Sequence, residues 1–373
     1  MTLATFLLSL SIYVLMPILP QWLLKLGENY WEIGCTYGIF GIGMFILGPL
    51  CSYLVQQFRR NIVCIWSIIG LIVSTGAILY ADRVTFTIQF FHIICILRLL
   101  QGAFWGLAQM ILCSTLIIET TDSYHRTEAN YISSWFERLA LPCGSLLGIL
   151  IYNVSGVVGS VFVSMLFSLI AVICILVVRF PFKAPEENSH LLRFDRFFLY
   201  RGWPLFASLV VITSICGLIL SFELSSLFFI IFIIGMIIAF LLLHSIFSSR
   251  SVKLHVISGL LSIGISVTGS LILGHSIIKM YIPPLFMGIG IGLIGAQYLL
   301  SFVNMTRHCQ RGTSQSTFFL GWNSGIHIGV FFSFVILNHD INNVLCISLI
   351  LLLLLLVLYI ALIHKWYIAN KSR

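Results

Sequence analysis

The strongest constraint on this chain is a series of apolar runs, each about twenty residues long. A helix needs roughly 20 mostly apolar residues to cross about 30 Å of bilayer hydrocarbon. The runs cover residues 3–24, 31–55, 62–80, 90–118, 131–152, 157–178, 203–222, 224–247, 254–273, 281–303, 317–337 and 344–363. They predict an all-α membrane protein with twelve transmembrane helices.

The composition excludes most functions of soluble proteins. Of the 373 residues, 60% are hydrophobic and 9% are charged, whereas about 25% are charged in an average soluble domain. The expected partners are therefore the lipid bilayer and a small-molecule substrate, and nucleic acid is not expected. The ten cysteines lie almost all in apolar runs, without a CxxC pair or a Cys/His cluster. We interpret them as packing residues and expect no metal and no cofactor.

The basic residues indicate how the chain lies in the membrane. Of the 20 Lys and Arg residues, two lie inside apolar runs, and Lys25, Arg83 and Lys279 lie in loops on one side. The other fifteen fall on the opposite side and are Arg59, Arg60, Arg126, Arg179, Lys183, Arg193, Arg196, Arg201, Arg250, Lys253, Arg307, Arg311, Lys365, Lys371 and Arg373. Because cytoplasmic loops carry the excess of Lys and Arg, both termini are expected to be cytoplasmic, in the inner (plasma) membrane of the cell.

A polar segment near the middle of the chain divides the helices into two groups of six. We expect an N-terminal half at 1–180, a cytoplasmic linker at 181–201 and a C-terminal half at 202–373. Apolar residues alternate with charges in the linker, so it is either a plain connection or a helix lying on the membrane surface. An offset of 185 residues superposes Arg126 on Arg311 and Gly144 on Gly329. This weak repeat indicates two related halves, an arrangement that transporter folds show.

Three charged residues lie inside the apolar runs and away from their ends: Arg98, Glu137 and Arg138. A charge at bilayer depth costs roughly 2.5 to 3.5 kcal/mol on insertion scales, so such residues normally face a bundle interior or a water-filled cavity. Glu137 is six residues into the predicted fifth helix, about 9 Å along its axis. Of the twelve acids in the chain, it is the one expected inside the membrane. It is therefore the candidate carrier if protons are coupled.

Other candidate site residues share helix faces with one another. Arg98, Gln101, Trp105 and Gln109 are three, four and four residues apart, which places them on one narrow face of a helix. That face is too polar to contact lipid and predicts a lining for a substrate or coupling site. The tenth and eleventh runs add Gln297, Trp322, Asn323 and His327.

Three segments carry signatures of a known transporter family. Arg98-Leu-Leu-Gln101-Gly102 matches an RxxQG signature in the fourth helix, and Gly144 with Leu146-Leu147-Gly148 is similar to a GPxxGG signature in the fifth. Segment 52–61 occupies the place of the loop motif GxLADRxGRR, where Leu54 and Arg60 fit. The chain therefore resembles the major facilitator superfamily and, within it, the drug:proton antiporter-like exporters.

Two of these motifs depart from the family pattern. Ser145 stands where the antiporter signature has Pro. In the loop motif, Ser52 and Arg59 replace Gly, and Gln56 replaces an acid that latches the two halves on the cytoplasmic side of the family's proteins. The resemblance implies a cytoplasmic gate at Gln56, Arg59 and Arg60, and the missing acid puts its charge-based latch in doubt.

The resemblance also implies an architecture and a mode of action. It implies a major facilitator fold of two pseudo-symmetric six-helix halves, with helices one, four, seven and ten lining a cavity and helices three, six, nine and twelve facing lipid. It implies a secondary active transporter, expected to be a monomer, that works by rocker-switch alternating access and exports a small amphipathic or hydrophobic solute in exchange for protons. A sugar or nutrient importer of this fold and a non-transporting membrane receptor are the alternatives. An enzyme is not expected, because the sequence shows no nucleophile or base with an orienting partner and no metal-ligand or phosphate-loop spacing.

Several roles remain open from the sequence. Arg98 either takes part in substrate or proton coupling or donates hydrogen bonds to backbone carbonyls of a bent helix. Glu137 and Arg138 either form a neutralised pair, or Glu137 loads and releases a proton. Adjacent helical residues point about 100° apart, so this pairing cannot be assumed. Trp105, Trp322 and His327 are each either packing residues or ligand contacts.

Overall fold

The computed structural model describes residues 1–84, 90–122, 125–180, 191–192, 194, 197–245, 251–274, 276–306 and 310–371. These residues form a bundle of membrane-length helical spans, which confirms the all-α fold predicted from the apolar runs. The spans are α1 (Thr2–Lys25), α2 (Tyr30–Gln57), α3 (Arg60–Ala81), α4 (Phe90–Leu116), α5 (126–155), α6 (157–177), α7 (Tyr200–Leu220), α8 (Ser226–Ser245), α9 (Val252–Ile272), α10 (Ile277–Asn304), α11 (Arg311–Val335) and α12 (Ile341–Asn370).

The fifth and sixth spans lie in one helical stretch, Arg126–Val177, that is kinked at Gly156. Gly156 has φ 64° and ψ −160°, a backbone conformation that glycine reaches readily because it lacks a Cβ atom. The 52 residues of this stretch would measure about 78 Å as a straight helix, more than twice the thickness of the hydrocarbon. Divided at Gly156, the described chain contains the twelve predicted transmembrane helices.

Up-and-down alternation of the helices gives the bundle two chemically different ends. The ends of α2, α4 and α10 and the starts of α3, α5 and α11 lie together at what we call the basic end, which carries Arg60, Arg126 and Arg311. An ion pair between Arg60 and Glu119 and a hydrogen bond from Arg311 to Thr127 link helix termini there. The other end, called the opposite end, carries the start of α2 and the end of α11.

Helices α5 and α11 begin earlier than the apolar runs predicted. The runs start at 131 and 317, whereas the helices start at Arg126 and Arg311. Hydropathy detects the apolar part of a helix, but backbone hydrogen bonding continues through the polar turns that precede it. Glu137 is consequently about 16 Å along its helix axis, and not about 9 Å, which places it deeper in the bundle.

Glycines pack the helices of the two halves in the same way. Two glycines of α5 press on α1, and two glycines of α11 press on α7, so that a methyl group added at any of them would overlap the partner helix. The close pairs are Gly144 with Tyr13, Gly148 with Val14, Gly325 with Thr213 and Gly329 with Ser214. Because α5 and α11, like α1 and α7, are six helices apart in the chain, the contacts repeat from one half to the other. Small residues allow such close approach of helices in membranes.

Adding a methyl group at these glycines should destabilise the bundle. Gly148→Ala and Gly329→Ala would each bring Cβ against a backbone carbonyl oxygen, and overpacking of this kind costs about 1–3 kcal/mol. Gly269→Ala is the matched control, because its Cβ would meet Pro283 at an ordinary 3.5 Å. We expect the first two variants to melt at lower temperature in detergent than the third. Equal melting temperatures would show that the glycine contacts are loose.

The described end of the linker touches both halves. Phe197 packs against Phe45 of α2, with ring centres 6.2 Å apart, and covers Gly48. The amide of Leu199 donates to the hydroxyl of Thr317 in α11 at 2.8 Å. The surface helix considered for segment 181–201 falls largely outside the described residues, which exclude 181–190, 193, 195 and 196.

Burial along the helices agrees only in part with the lining expected from the family. Helices α1, α7 and α11 are the most buried spans, and α12 is the most exposed to its surroundings. The position of α12 fits a lipid-facing helix. The deep burial of α11 was not expected from the resemblance, and it places Asn323 and His327 in the interior.

Candidate functional site

A chain of hydrogen bonds joins the two halves in the middle of the bundle. Tyr13 of α1 donates its hydroxyl to Oδ1 of Asn323 in α11 at 2.5 Å. The Nδ2 of Asn323 donates to Oε1 of Glu137 in α5 at 3.3 Å and to the carbonyl of Phe319 at 3.0 Å. Among the acidic side chains that the structure describes, Glu137 is the buried one. Its carboxyl group therefore contacts an amide of the other half and lies away from the lipid.

Arg138, the chain neighbour of Glu137, contacts a different part of the C-terminal half. Its Nε donates to the carbonyl of Ser134 at 3.0 Å, and its Nη1 donates to the carbonyl of Gly292 in α10 at 3.5 Å. Its guanidinium carbon lies 5.8 Å from the ring centre of Trp322. Glu137 and Arg138 do not form a direct ion pair: within the described chain, no nitrogen–oxygen contact within 4.0 Å joins them. The two side chains connect α5 separately to α11 and to α10.

Arg98 is buried in α4 against aromatic rings of α2. Its Nη1 donates to Oε1 of Gln101 at 3.0 Å, and Nε2 of Gln101 donates to the hydroxyl of Thr75 at 2.9 Å. Its guanidinium carbon lies 4.4 Å from the ring centre of Phe40 and 5.4 Å from that of Tyr37. A guanidinium over an aromatic face is attracted to the ring, more strongly when both are away from water. These partners hold Arg98 inside the N-terminal half and beside its interface.

The ring of Phe40 carries the contact across that interface. It stacks on His327 of α11 with ring centres 4.4 Å apart and planes inclined by 20°. Nδ1 of His327 lies 2.8 Å from the carbonyl oxygen of Asn323. A continuous set of contacts therefore runs from Arg98 through Phe40, His327 and Asn323 to Glu137. The structure brings four of the candidates derived from sequence into one network.

Trp105 and Gln109 lie on the same face of α4 and donate their hydrogen bonds within their own half, although the ring of Trp105 also packs on Phe319 of α11, with ring centres 5.1 Å apart. The indole Nε1 of Trp105 donates to the carbonyl of Leu8 at 3.3 Å. Nε2 of Gln109 donates to the carbonyl of Thr5 at 3.2 Å and to the hydroxyl of Ser9 at 2.7 Å. The polar face predicted from their spacing exists, and in this part its amide and indole groups hold α4 against α1.

Gln297 and Trp322 are buried in α10 and α11. The ring centre of Trp322 lies 5.9 Å from that of Phe318. Its indole Nε1 is buried without a hydrogen-bond partner among the described residues. Buried polar groups are normally satisfied by protein, water or ligand, so this donor is available to a bound molecule.

A cleft opens between α4 and α5 on one side and α10 and α11 on the other. The space in it that a water molecule can occupy is about 10 Å³, room for roughly one water. The polar residues that line it are Asn130, Ser133, Ser134, Glu137 and Gln315. Each of these five residues is 6% exposed or less. Four polar atoms of the lining are buried without a hydrogen-bond partner in the described chain: Asn130 Oδ1, Ser133 Oγ, Ser134 Oγ and Gln315 Oε1.

The cleft leads from the basic end to the central hydrogen-bond chain. Asn130 and Gln315 each lie four residues into their helices, about 6 Å from the helix start, whereas Glu137 lies about 16 Å in. Phe318, Phe319 and Leu299 supply apolar walls. The cleft therefore forms a polar path that ends on a buried carboxyl group.

For the gate expected at the basic end, the structure gives a specific contact for one of the three residues. The expected gate residues are Gln56, Arg59 and Arg60. Arg60 forms an ion pair with Glu119, three residues after the end of α4, and both residues belong to the N-terminal half. This pair therefore joins α3 to α4 and does not latch one half to the other. A contact that does cross the interface at this end is the 3.4 Å hydrogen bond from Nη1 of Arg311 to the hydroxyl of Thr127.

Helices α2 and α11 close the opposite end of the bundle. A methyl group at Gly34 would overlap Val335, so the two helices approach closely there. The rings of Tyr30 and Phe334 lie 6.0 Å apart across the interface. The structure is thus packed between the halves at the opposite end and keeps a cleft at the basic end.

His339, in the turn after α11, extends this closed region. Its ring stacks on Phe222 at 3.9 Å and on Phe334 at 4.3 Å, with planes within 7° of parallel. Burial lowers the pKa of His339 to about 4. The folded protein therefore holds the imidazole neutral where a solvated histidine would titrate near 6.5.

Acidification should destabilise the protein through His339. Between pH 6.5 and about 4 the unfolded chain binds a proton at this histidine that the folded chain does not, so stability falls as the pH falls through that window. Burial raises the pKa of Glu28 and of Glu223 to about 7, so these two carboxyl groups stabilise the folded protein as the pH falls below 7, opposite to the effect of His339. His339→Asn keeps a residue that tolerates the observed φ of 52° and removes only the imidazole. Because the two carboxyl groups are present in both proteins, the native protein should lose melting temperature relative to the variant between pH 7 and pH 5, and parallel curves would contradict the assignment.

The family of the chain is shown by its sequence. A family model described as Major Facilitator Superfamily matches residues 1–222, more than half of the chain. The chain belongs to the major facilitator superfamily. It is therefore a multi-pass integral membrane protein of a transporter family and not an enzyme. A search of curated protein sequences found no significant match.

Solved structures of several transporters share the fold over all or nearly all of the chain. A bacterial homologue of the human lysosomal transporter Spinster, inward-facing and occupied, is 13% identical with a TM-score of 0.72, covering 100% of this chain and 97% of that one. The POT family transporter PepTSo is 11% identical with a TM-score of 0.71, covering 100% and 98%. The inward-open xylose transporter XylE from E. coli is 13% identical with a TM-score of 0.69, covering 95% and 93%. At these identities the likeness shows the major facilitator fold alone.

Sequence reasoning missed most of the cleft in this superfamily member. Asn130, Ser133, Ser134 and Glu137 are spaced i, i+3, i+4 and i+7, so they form one polar stripe on α5. The stripe can be recognised in the sequence, but the apolar run starts at 131 and therefore leaves out Asn130, in the first turns of the helix. Tyr13 carried no such signal, because it is a single tyrosine in an otherwise apolar run.

Proposed function

We propose that the protein is a proton-coupled exporter of a small amphipathic or hydrophobic solute, similar to the drug:proton antiporter-like members of its superfamily. The observation that carries the proposal is the hydrogen-bond chain from Tyr13 through Asn323 to Glu137. It places the one buried carboxyl group of the described chain at the interface between the halves. Alternating access requires contacts across that interface to form and break.

Protonation of Glu137 would change the strength of the interface. An ionised carboxylate accepts a charge-assisted hydrogen bond from Asn323, and such bonds are roughly twice as strong as neutral ones. A neutral carboxyl group loses that advantage but removes the cost of a buried charge. The two protonation states therefore favour different arrangements of α5 against α11, which supports a coupling role for Glu137.

The other candidate residues have proposed roles around this carboxyl group. Arg98, bonded to Gln101, is connected through Phe40 to His327, which contacts Asn323. Trp322 lies beside Arg138, and Gln297 is buried in α10. Trp105 and Gln109 hold α4 against α1, and Trp105 also reaches Phe319 of α11. We also propose that residues 1–180 and 202–373 move as the two halves, joined by the linker at 181–201.

We propose that the basic end faces the cytoplasm of a cell bounded by an inner (plasma) membrane. The support is the distribution of Lys and Arg between alternate loops. In a cysteine-free background, Asn343→Cys should react with an impermeant thiol reagent in intact cells, and Lys371→Cys should react only after lysis; both positions are exposed. Labelling of Lys371→Cys in intact cells would reverse the orientation.

The function is tested by comparing the metabolites that cells export with and without the protein. An exporter should raise the external level of at least one solute. Faster depletion of a solute from the medium would instead support the importer alternative. In proteoliposomes, an imposed pH gradient should drive that solute against its own gradient. Binding of the solute without flux would contradict transport and favour a receptor.

A further inference from the structure

The cleft near the basic end is the size of a single water molecule and lies between the two halves. Its walls include α5 of the N-terminal half and α11 of the C-terminal half. We propose that the cleft binds one structural water, which joins α5 to α11 and holds the basic end closed. This latch requires only that the halves separate during transport. It therefore goes beyond the function proposed above and does not depend on the direction, the solute or the coupling ion.

Three polar side chains of α5 surround one point on the helix surface. Asn130, Ser133 and Ser134 are spaced i, i+3 and i+4, so they are neighbours within about one turn. Their side-chain oxygens are buried and have no hydrogen-bond partner in the described chain. On the facing helix α11, Oε1 of Gln315 is buried and unpartnered in the same way. A small molecule placed over this turn of α5 can reach all three side chains and the glutamine opposite.

The two serines direct their hydroxyl groups away from their own backbone. A helical serine often donates to the carbonyl four residues earlier. Ser67 and Ser262 do so in this protein, at 2.8 Å and 2.9 Å. Ser133 and Ser134 make no such bond among the described residues, and both line the cleft. Their hydroxyl groups are therefore available to a molecule bound there.

The hydrogen-bonding capacity of one water matches this set of groups. A water molecule donates two hydrogen bonds and accepts two. The amide oxygens of Asn130 and Gln315 are acceptors, and the hydroxyl groups of Ser133 and Ser134 can donate. Buried waters make about 2–4 hydrogen bonds to polar groups that the protein leaves unsatisfied, and such groups are costly without a partner. A metal cation would use only the oxygen lone pairs and would not accept from the two hydroxyl groups.

The position of this water makes it a latch between the halves. A charge-based latch is in doubt because Gln56 replaces an acid, and Arg60 pairs with Glu119 inside the N-terminal half. A bridging water is nearly as favourable in enthalpy as a direct hydrogen bond, and hydrogen bonds are stronger away from bulk water. When the halves separate at the basic end, bulk water hydrates each polar group in turn. The latch therefore holds the closed state and still opens at a modest cost.

A native cysteine reports whether the cleft is open. Cys113 of α4 lines the cleft and is 8% exposed, so its alkylation rate rises when the basic end opens. The full-length protein, with Cys113 as its one cysteine, is placed in lipid nanodiscs and treated with a water-soluble maleimide. Asn130→Leu and Gln315→Met each remove one acceptor of the water at nearly constant shape. Each should speed alkylation by about tenfold, because the bridge is lost while the other polar groups stay buried.

A double-mutant cycle shows whether the two side chains act through one water. The variant with both Asn130→Leu and Gln315→Met should be alkylated little faster than either single variant, because each substitution already breaks the same bridge. Ser314→Ala is the control in α11, since this buried hydroxyl donates to the carbonyl of Arg311 in its own helix at 2.7 Å. It should keep the native rate. Unchanged rates in the single variants, or effects that multiply in the double variant, would overturn the proposal.

Two further measurements separate the latch from general loosening. In a protein that retains only Cys64, which is buried between α3 and α4 with Sγ 3.7 Å from the carbonyl of Ala108, the variants should leave the alkylation rate unchanged. Electron cryomicroscopy of the native protein, at a resolution that shows ordered water, should reveal one peak about 2.5–3.0 Å from oxygens of both α5 and α11. An empty cleft, or a peak that appears only when Na⁺ is present, would overturn the proposal even if the variants loosened the N-terminal half and Cys64 reacted faster.

Discussion

Glu137→Gln should abolish accumulation of the solute against its gradient. Glutamine keeps a carbonyl oxygen that can accept from Nδ2 of Asn323, so the central hydrogen-bond chain from Tyr13 can persist. The variant loses the only buried group of the described acids that can load and release a proton. We expect downhill exchange to continue in proteoliposomes, with a rate that no longer depends on pH. Concentrative transport should fall to the level of empty liposomes.

Two further variants give this experiment its controls. Glu137→Asp keeps a titratable carboxyl group and should retain part of the pH dependence. Glu119→Gln removes a carboxylate that is engaged with Arg60 at the basic end and should leave the coupling in place. If Glu137→Gln accumulates the solute with the same pH response as the native protein, Glu137 is a structural residue. Coupling would then belong to a boundary acid such as Glu32, whose side chain accepts from the amide of Asn29 at the start of α2.

The fold was predictable because its main determinant is local. Each membrane span needs about twenty apolar residues, and every helix satisfies its own backbone within one run. The helix starts at Arg126 and Arg311 were not predictable in the same way. A polar turn at a helix start costs little near water, so hydropathy gives no signal for it.

The contacts of the site depend on the relation between the halves. Glu137 and Asn323 are 186 residues apart, and nothing in the local pattern shows that an acid of α5 meets an amide of α11. The spacing of Arg98 and Gln101 did predict that they share a face, and the structure joins them at 3.0 Å. The spacing could not show that Gln109, on the same face, donates hydrogen bonds to α1.

The loop motif illustrates the difference between a pattern and a contact. Its replacement of an acid by Gln56 puts a charge-based latch between the halves in doubt. The structure pairs Arg60 of this motif with Glu119 inside the N-terminal half. The basic residue is thus retained with a local partner, and a cross-interface contact at this end comes from Arg311.

Arg98→Ala should reduce transport by about tenfold or more while leaving the protein folded. The substitution removes the guanidinium that lies 4.4 Å from the ring centre of Phe40 and the hydrogen bond to Gln101. A desolvated cation–π contact and a charged hydrogen bond are each worth about 1.5–3 kcal/mol, and 1.4 kcal/mol corresponds to a factor of ten. The ring of Phe40 in α2 lies between Arg98 of α4 and His327 of α11, so loss of Arg98 removes one of the two groups that hold this ring at the interface.

A double-mutant cycle distinguishes a role through Phe40 from the role of a simple charge. Arg98→Lys keeps the charge but lacks the planar group that stacks on a ring, so it should restore only part of the transport. Phe40→Leu alone should also reduce transport, and the double variant Arg98→Ala with Phe40→Leu should be little worse than Arg98→Ala. Transport rates in proteoliposomes, with monodisperse elution in detergent as the folding control, measure each corner of the cycle. Full rescue by lysine, or additive losses, would show that Arg98 acts as a charge independently of the stack that reaches His327.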